Sequence, residues 1–287
     1  MSYRRRPSPL HSAGAGAGAL FCLALGLAAL MIANPIVLGA LGLTVLGAAA
    51  GAGVGREVAR TVRYTLPFAL IIAVLNALIT RNGLTVILRL GEVPLIGQTD
   101  VTLEAAVYGL VLGLRAVVLI TCGALYTAAV DPDEMLALLR PLSFRSALTA
   151  TLATRMVPVL LRDSSRLAEA QRCRPGPAPS RATLMRAVTA GMLDRALDVA
   201  AVLEVRGYGA AGRPRRRPRH WNRHDLAFAA AAGVIVGLAA LAGPLGQAGF
   251  TAYPALHVAA GPAVLGLTAA LLVAVLVPFA DRRGIGP

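Results

Sequence analysis

Six apolar runs divide this chain, at about residues 16–33, 36–53, 64–79, 103–127, 226–245 and 261–279, each near the length a helix needs to cross a bilayer. Backbone in lipid must satisfy its own hydrogen bonds, so such runs fold as helices. The composition agrees: 56% of the 287 residues are hydrophobic and only 15% charged, outside the range of soluble globular chains. The expected fold class is all-α, a polytopic membrane protein with about six transmembrane helices and a long arginine-rich insert between the fourth and the fifth. The spacings Gly47/Gly51 and Gly109/Gly113 would let helices approach closely in lipid, although a codon bias toward small residues also produces them.

Charge is placed asymmetrically. All 28 basic residues are arginine; a GC-rich coding sequence accounts for arginine over lysine but not for where the arginines fall. With a cytoplasmic N-terminus, Arg4, Arg5 and Arg6, then Arg56, Arg60 and Arg63, then every arginine from Arg140 to Arg223, and finally Arg282 and Arg283 lie on the inner side. Only Arg81 and Arg89 face outward, while Arg115 falls inside the fourth run. This positive-inside pattern implies a multi-pass protein of the cell (inner or plasma) membrane with both termini cytoplasmic. It also accounts for the net charge of +14 without nucleic acid as a partner, because the basic groups border the spans. The start of the chain resembles a signal peptide, but a second apolar segment follows one short Asn34-Pro35 turn without a convincing cleavage site, so the first span is expected to be retained. Ala147–Leu161 competes as a further span. It is short, carries Arg155 and Pro158, and would move the basic region outside, so an interfacial helix continuing into the insert is expected. The chain then divides into a cytoplasmic tail at 1–15, four spans within 16–127, a cytoplasmic helical region with a basic linker at 128–223, and two spans with a C-terminal tail at 224–287.

Chemistry-bearing motifs are sparse. Cys22, Cys122 and Cys173 lack zinc or redox spacing, and no disulfide is expected. His11, His220, His224 and His257 are scattered, and no phosphate-cradling glycine loop is present. Asp131-Pro132-Asp133-Glu134 is the densest acidic cluster and reads as a helix start: Asp131 at the N-cap, Pro132 first, and Glu134 third, where its carboxylate can reach back to the cap amide. The rival reading makes the cluster a magnesium site in a membrane enzyme acting on a lipid or isoprenoid phosphate, with Asp131, Asp133 and arginines gripping the substrate. That enzyme would need a second acidic cluster or a base. A self-sufficient carrier is disfavoured by the few polar groups in the spans. The segment Thr80–Thr102 is an outer loop punctuated by Gly83, Gly91, Pro94 and Gly97, and Arg213–Arg223 is a linker with Trp221 as an interfacial anchor. Arg115, costly in lipid, either packs against a polar partner such as Asn76 or is a candidate contact with another subunit.

The insert carries two helices. On the second, Met185, Val188, Thr189, Met192, Ala196, Val199, Ala200 and Leu203 form a stripe opposite Asp194 and Asp198, so an amphipathic helix is expected. On the first, Leu160, Leu161, Ser164, Leu167, Ala168 and Gln171 form a weaker stripe, with Asp163/Arg166, Arg166/Glu169 and Glu169/Arg172 at i,i+3. Both helices end on an arginine followed by a stop: Arg174 before Pro175-Gly176, and Arg206 before Gly207. A cation in a last turn offsets the helix dipole, which explains either arginine singly. The same ending on two successive helices of a membrane protein favours docking to a partner.

Arg155-Met-Val-Pro158, Ala170-Gln171-Arg172-Cys173-Arg174 and Val205-Arg206-Gly207-Tyr208, with Asn76-Ala-Leu, Tyr108-Gly109-Leu110, Leu114-Arg115 and Asp131-Pro132-Asp133-Glu134 upstream, resemble the T component of energy-coupling factor (ECF) transporters, the EcfT/CbiQ family. The resemblance runs from about Tyr64 to Tyr208. It implies that 128–223 is a coupling-helix region whose helix-end arginines dock on an ABC-type ATPase dimer. It also implies a separate S-type membrane subunit that binds a vitamin or transition-metal ion. ATP and magnesium would then sit in the partner ATPases, with no cofactor and no enzymatic activity in this chain. Docking residues carried over are Gln171, Arg172, Cys173 and Arg174 at the first motif and Val205, Arg206 and Gly207 at the second. The chain departs from the family's Ala-Arg-Gly pattern at Cys173-Arg174-Pro175 and at Val205, which leaves both Arg172 and Arg174 as candidates for the first coupling arginine.

Overall fold

The computed structural model describes residues 6–80, 85–93, 97–138, 144–173, 175, 180–208, 220–243, 249–253 and 256–281. In chain order the elements are α1 Pro9–Ser12, α2 Ala15–Met31, α3 Pro35–Gly51, α4 Gly55–Ile79, β1 Val86–Val93, β2 Gly97–Thr102, α5 Leu103–Ala129, α6 Pro132–Leu138, α7 Phe144–Arg172, α8 Arg181–Val205, α9 Arg223–Ala242, β3 Phe250–Thr251, β4 His257–Val258 and α10 Pro262–Ala280. Two compact units result: Met1–Met135 with Trp221–Pro287, and Leu136–His220.

In the first unit every expected apolar run is a helix. Four of them, α4, α5, α9 and α10, are long and apolar enough to cross a membrane, whereas α2 and α3 are apolar but only 17 residues long. Helix α4 begins at Gly55, well before the apolar run at 64, because Arg56, Arg60 and Arg63 are good helix formers that a hydropathy criterion passes over. The expected loop between α4 and α5 contains an antiparallel hairpin, β1–β2, with irregular register between Val86/Leu88 and Arg89/Glu92, and a shorter hairpin, β3–β4, lies between α9 and α10.

Close packing explains the glycine spacings. A methyl group at Gly109 would stand 2.6 Å from the Ala73 carbonyl oxygen, and one at Gly113 would stand 2.7 Å from that of Ala69, so α5 lies directly against α4. At Gly51 the added carbon would meet the Phe279 ring at 2.9 Å, and at Gly47 it would reach Leu276 at 3.4 Å. Helix α10 therefore rests on α3. Where α2, α9 and α10 meet, Phe21 lies edge-on to Phe228 and Phe279 with ring centroids 5.1 and 6.1 Å away, and those two are 5.2 Å apart.

The helix ends of this unit are tied by polar groups. Arg6 binds the Gly53 carbonyl and Glu57 at the α3–α4 turn, where Gly53 has φ 74°. Arg223 pairs with Asp281, joining the start of α9 to the end of α10. At the opposite end, buried Asn34 accepts from Ile36 N at 2.9 Å as the N-cap of α3 and donates to the Ala259 carbonyl at 2.7 Å.

In the second unit α7 runs unbroken through Pro158 into the insert, and it is not among the helices apolar enough to span. It packs on α8, and Leu160, Ser164, Leu167 and Ala168 of α7 and Val188, Met192, Val199 and Leu203 of α8 are half-buried. Leu161, placed on the stripe by sequence, is 66% exposed. Asp163, expected to pair with Arg166 along its own helix, accepts from Arg195 Nη1 of α8 at 2.7 Å.

Candidate functional site

Helix α8 starts on Ser180, whose hydroxyl accepts from Thr183 N at 3.3 Å, and ends in a full Schellman motif. Tyr208 N donates to the Leu203 carbonyl at 2.8 Å and Gly207 N to that of Glu204 at 2.9 Å, closed by Gly207 at φ 74°. Only glycine enters this left-handed geometry cheaply, so the chain turns sharply immediately after Arg206. Arg206 is thus the C-cap, exposed, beside Val205, which is 89% exposed. A guanidinium carried on a fixed helix tip is a rigid fork of donors for a carboxylate or a carbonyl cluster.

On α7 the helix reaches Arg172, and Cys173 N closes the last turn on the Glu169 carbonyl at 3.3 Å. Gln171 is half-buried, and Arg172 and Cys173 are exposed. Arg174 lies outside the described residues, as does most of the Arg213–Arg223 linker.

Helix α8 departs from the expected amphipathic pattern. Met185, Thr189, Ala196 and Ala200 of the sequence stripe are exposed, and Leu193 and Leu197 add to this outer apolar face at 64% and 63% exposure. Apolar residues therefore line both sides of α8, because Leu193 and Leu197 follow one position behind Met192 and Ala196.

The acidic cluster begins α6 as expected, with Asp131 Oδ1 accepting from Asp133 N at 2.9 Å. Glu134 does something the sequence did not disclose: Oε2 accepts from Ala15 N at 3.1 Å, at the start of α2. Gly14 N donates to Asp225, which also closes the capping box of α9. The available signal was local: α2 begins on a glycine N-cap with no acid in its first turn, so its leading amides had to find acceptors elsewhere. Arg115 donates to the carbonyl of Ile32 rather than to Asn76, whose Oδ1 accepts from Thr80. Cys22, Cys122 and Cys173 are free thiols. Among the described residues no group of three or more His, Cys, Asp or Glu is placed to hold a metal ion.

Six apolar helices with a separate polar helical insert define an all-α polytopic membrane protein. Over residues 7–217 the chain matches the family described as cobalt transport protein, CbiQ, and it belongs to that family, the EcfT/CbiQ family. No curated protein matches it. The family is one of membrane transport components rather than enzymes and works in complexes with other subunits. The matched span extends upstream of Tyr64 through α2 and α3, and it stops before α9 and α10, although Phe228 and Phe279 of those helices pack in the core.

Proposed function

We propose that this chain is the transmembrane energy-coupling subunit of an ECF-type ABC importer, linking ATP hydrolysis in a partner ATPase dimer to uptake through a separate S-type membrane subunit. The transported species is a transition-metal ion, cobalt by the description of the family, with a vitamin as the alternative cargo. The α7–α8 insert and both termini face the cytoplasm, since the arginines concentrate there. Arg206 docks in a groove of one ATPase, and Arg174 or Arg172 docks in the other.

What supports this most is the end of α8. The Schellman turn at Gly207 leaves Arg206 exposed at a rigid tip, so movement of a bound ATPase would be carried along the helix as a body. The test is purification of the tagged chain in mild detergent from its native membrane. An ABC-type ATPase and a small apolar membrane protein should accompany it, and both Arg206→Ala and Arg174→Ala should weaken that association. The double variant should still insert but neither hold the ATPase nor support cobalt uptake; normal uptake by it would sink the assignment.

A further inference from the structure

We propose that Glu134 and Asp225 are positioning residues for coupling: they fasten the two ends of the insert to one point, the amino end of α2. This rests on the coupling role proposed above.

Helix α2 has no local means of satisfying its first amides, because Gly14 at the N-cap has no side chain and the first turn has no acid. These amides carry the positive end of the helix dipole. Both acceptors come from far along the chain and from opposite sides of the insert. Glu134 stands just before the second unit, which begins at Leu136, and Asp225 just after it, as it ends at His220. Ala15 N donates to Glu134 Oε2 at 3.1 Å, and Gly14 N donates to Asp225 Oδ1. Asp225 is only 7% exposed, and its Oδ2 accepts from Asn222 N at 2.8 Å, so one buried carboxylate caps α9 and α2 together.

Without these bonds Glu134 on α6 and Asp225 on α9 would have no common attachment at the start of α2. With them Glu134 on α6 and Asp225 on α9 are each held on one of two successive amides of α2. A force that arrives at either of these two points is then shared by α2, α6 and α9 as one body. The bonds are charge-assisted and one carboxylate is buried, which makes them strong enough for this purpose.

The test uses the whole complex with its partner ATPases in proteoliposomes, reading cobalt(II) uptake and ATP hydrolysis per complex. Ala15→Pro deletes the amide that Glu134 accepts from while leaving both carboxylates intact. Proline suits the first helical position, and Gly14 before it, at φ −64° and ψ 150°, already has the backbone a following proline requires. We expect Ala15→Pro and Glu134→Ala to lower the ratio of cobalt moved to ATP hydrolysed by about tenfold at unchanged complex yield. Glu134→Gln, which keeps the one acceptor oxygen used here, should recover most of the loss, whereas Asp225→Asn, which leaves one acceptor oxygen for two amides, should resemble Glu134→Ala. A ratio within about twofold of the wild type in both Ala15→Pro and Glu134→Ala would overturn this inference alone. So would a fall in uptake that merely tracks a fall in inserted protein. A wild-type chain that binds no ATPase or moves no cobalt would overturn the proposed function, and this inference with it.

Discussion

Arg115, in the middle of α5, donates from Nη2 to the carbonyl of Ile32 at 3.0 Å, the residue that caps the carboxyl end of α2. A cation at a helix carboxyl end meets the negative pole of the dipole and a carbonyl without an intrahelical donor. The charge that is most costly by sequence therefore has a partner within its own chain. Its Nε is buried without a hydrogen-bond partner among the described residues, so the site is only partly satisfied. Arg115→Leu should lower the stability of the detergent-solubilised protein by about 1–3 kcal/mol, seen as a lower thermal midpoint, while ATPase co-purification persists. Loss of the partner subunits at unchanged stability would instead assign Arg115 to a subunit contact.

Gly109 and Gly113 set the distance between α4 and α5. Their absent side chains are replaced by the backbone of Ala73 and Ala69, so there is no flexible neighbour that can yield. Gly109→Ala and Gly113→Ala should each cost about 1–3 kcal/mol through overpacking, whereas Gly123→Ala on the same helix, with open space around it, should be neutral or slightly stabilising. Thermal unfolding of the three variants side by side decides this.

Gly207→Ala places a side chain in the left-handed region at φ 74°. The Schellman turn should loosen at a cost of about 1 kcal/mol, and the backbone that carries Arg206 loses its fixed position at the helix tip. Uptake by the complex should fall while the chain still inserts normally; an unchanged uptake rate would separate Arg206 from the geometry of its cap.

The Asp163–Arg195 pair links α7 to α8 with its side chains 33% and 45% exposed. Solvent and salt screen a pair of this kind, so a double-mutant cycle with Asp163→Ala and Arg195→Ala should give less than about 1 kcal/mol of coupling, shrinking as salt is raised. Partial burial of apolar side chains, among them Val188, Met192, Val199 and Leu203 on α8 and Leu160 and Leu167 on α7, is expected to contribute more to the helix pair than this ion pair does. Val188→Asp should separate the helices where loss of the ion pair does not, as read by protease sensitivity of the insert.

Much of this molecule was legible before any coordinates. Gly109/Gly113 signalled a close helix contact, Asp131-Pro132 a helix start, and Arg206-Gly207 a helix end, because each rests on chemistry within a few residues of chain. Misreadings arose where a residue's partner lay elsewhere. Asp163 had a plausible neighbour in Arg166 yet reaches Arg195, and Met185 shares the helical period of Val188 without sharing its burial. The β1–β2 hairpin was hidden in a segment whose glycines and proline read only as loop.

The sequence by itself determined the six apolar helices, the helical insert between them and the arginine at the end of α8, since length, hydropathy and capping are local properties of the chain. Only the tertiary structure decided which helices touch, with α4 on α5 through Ala69 and Ala73 and α10 on α3 at Gly51. Only it brought Glu134 and Asp225 to two successive amides at the start of α2. Hydropathy says that a helix is buried in lipid or protein but not against what, and a carboxylate accepts equally well from any amide that folding places within reach.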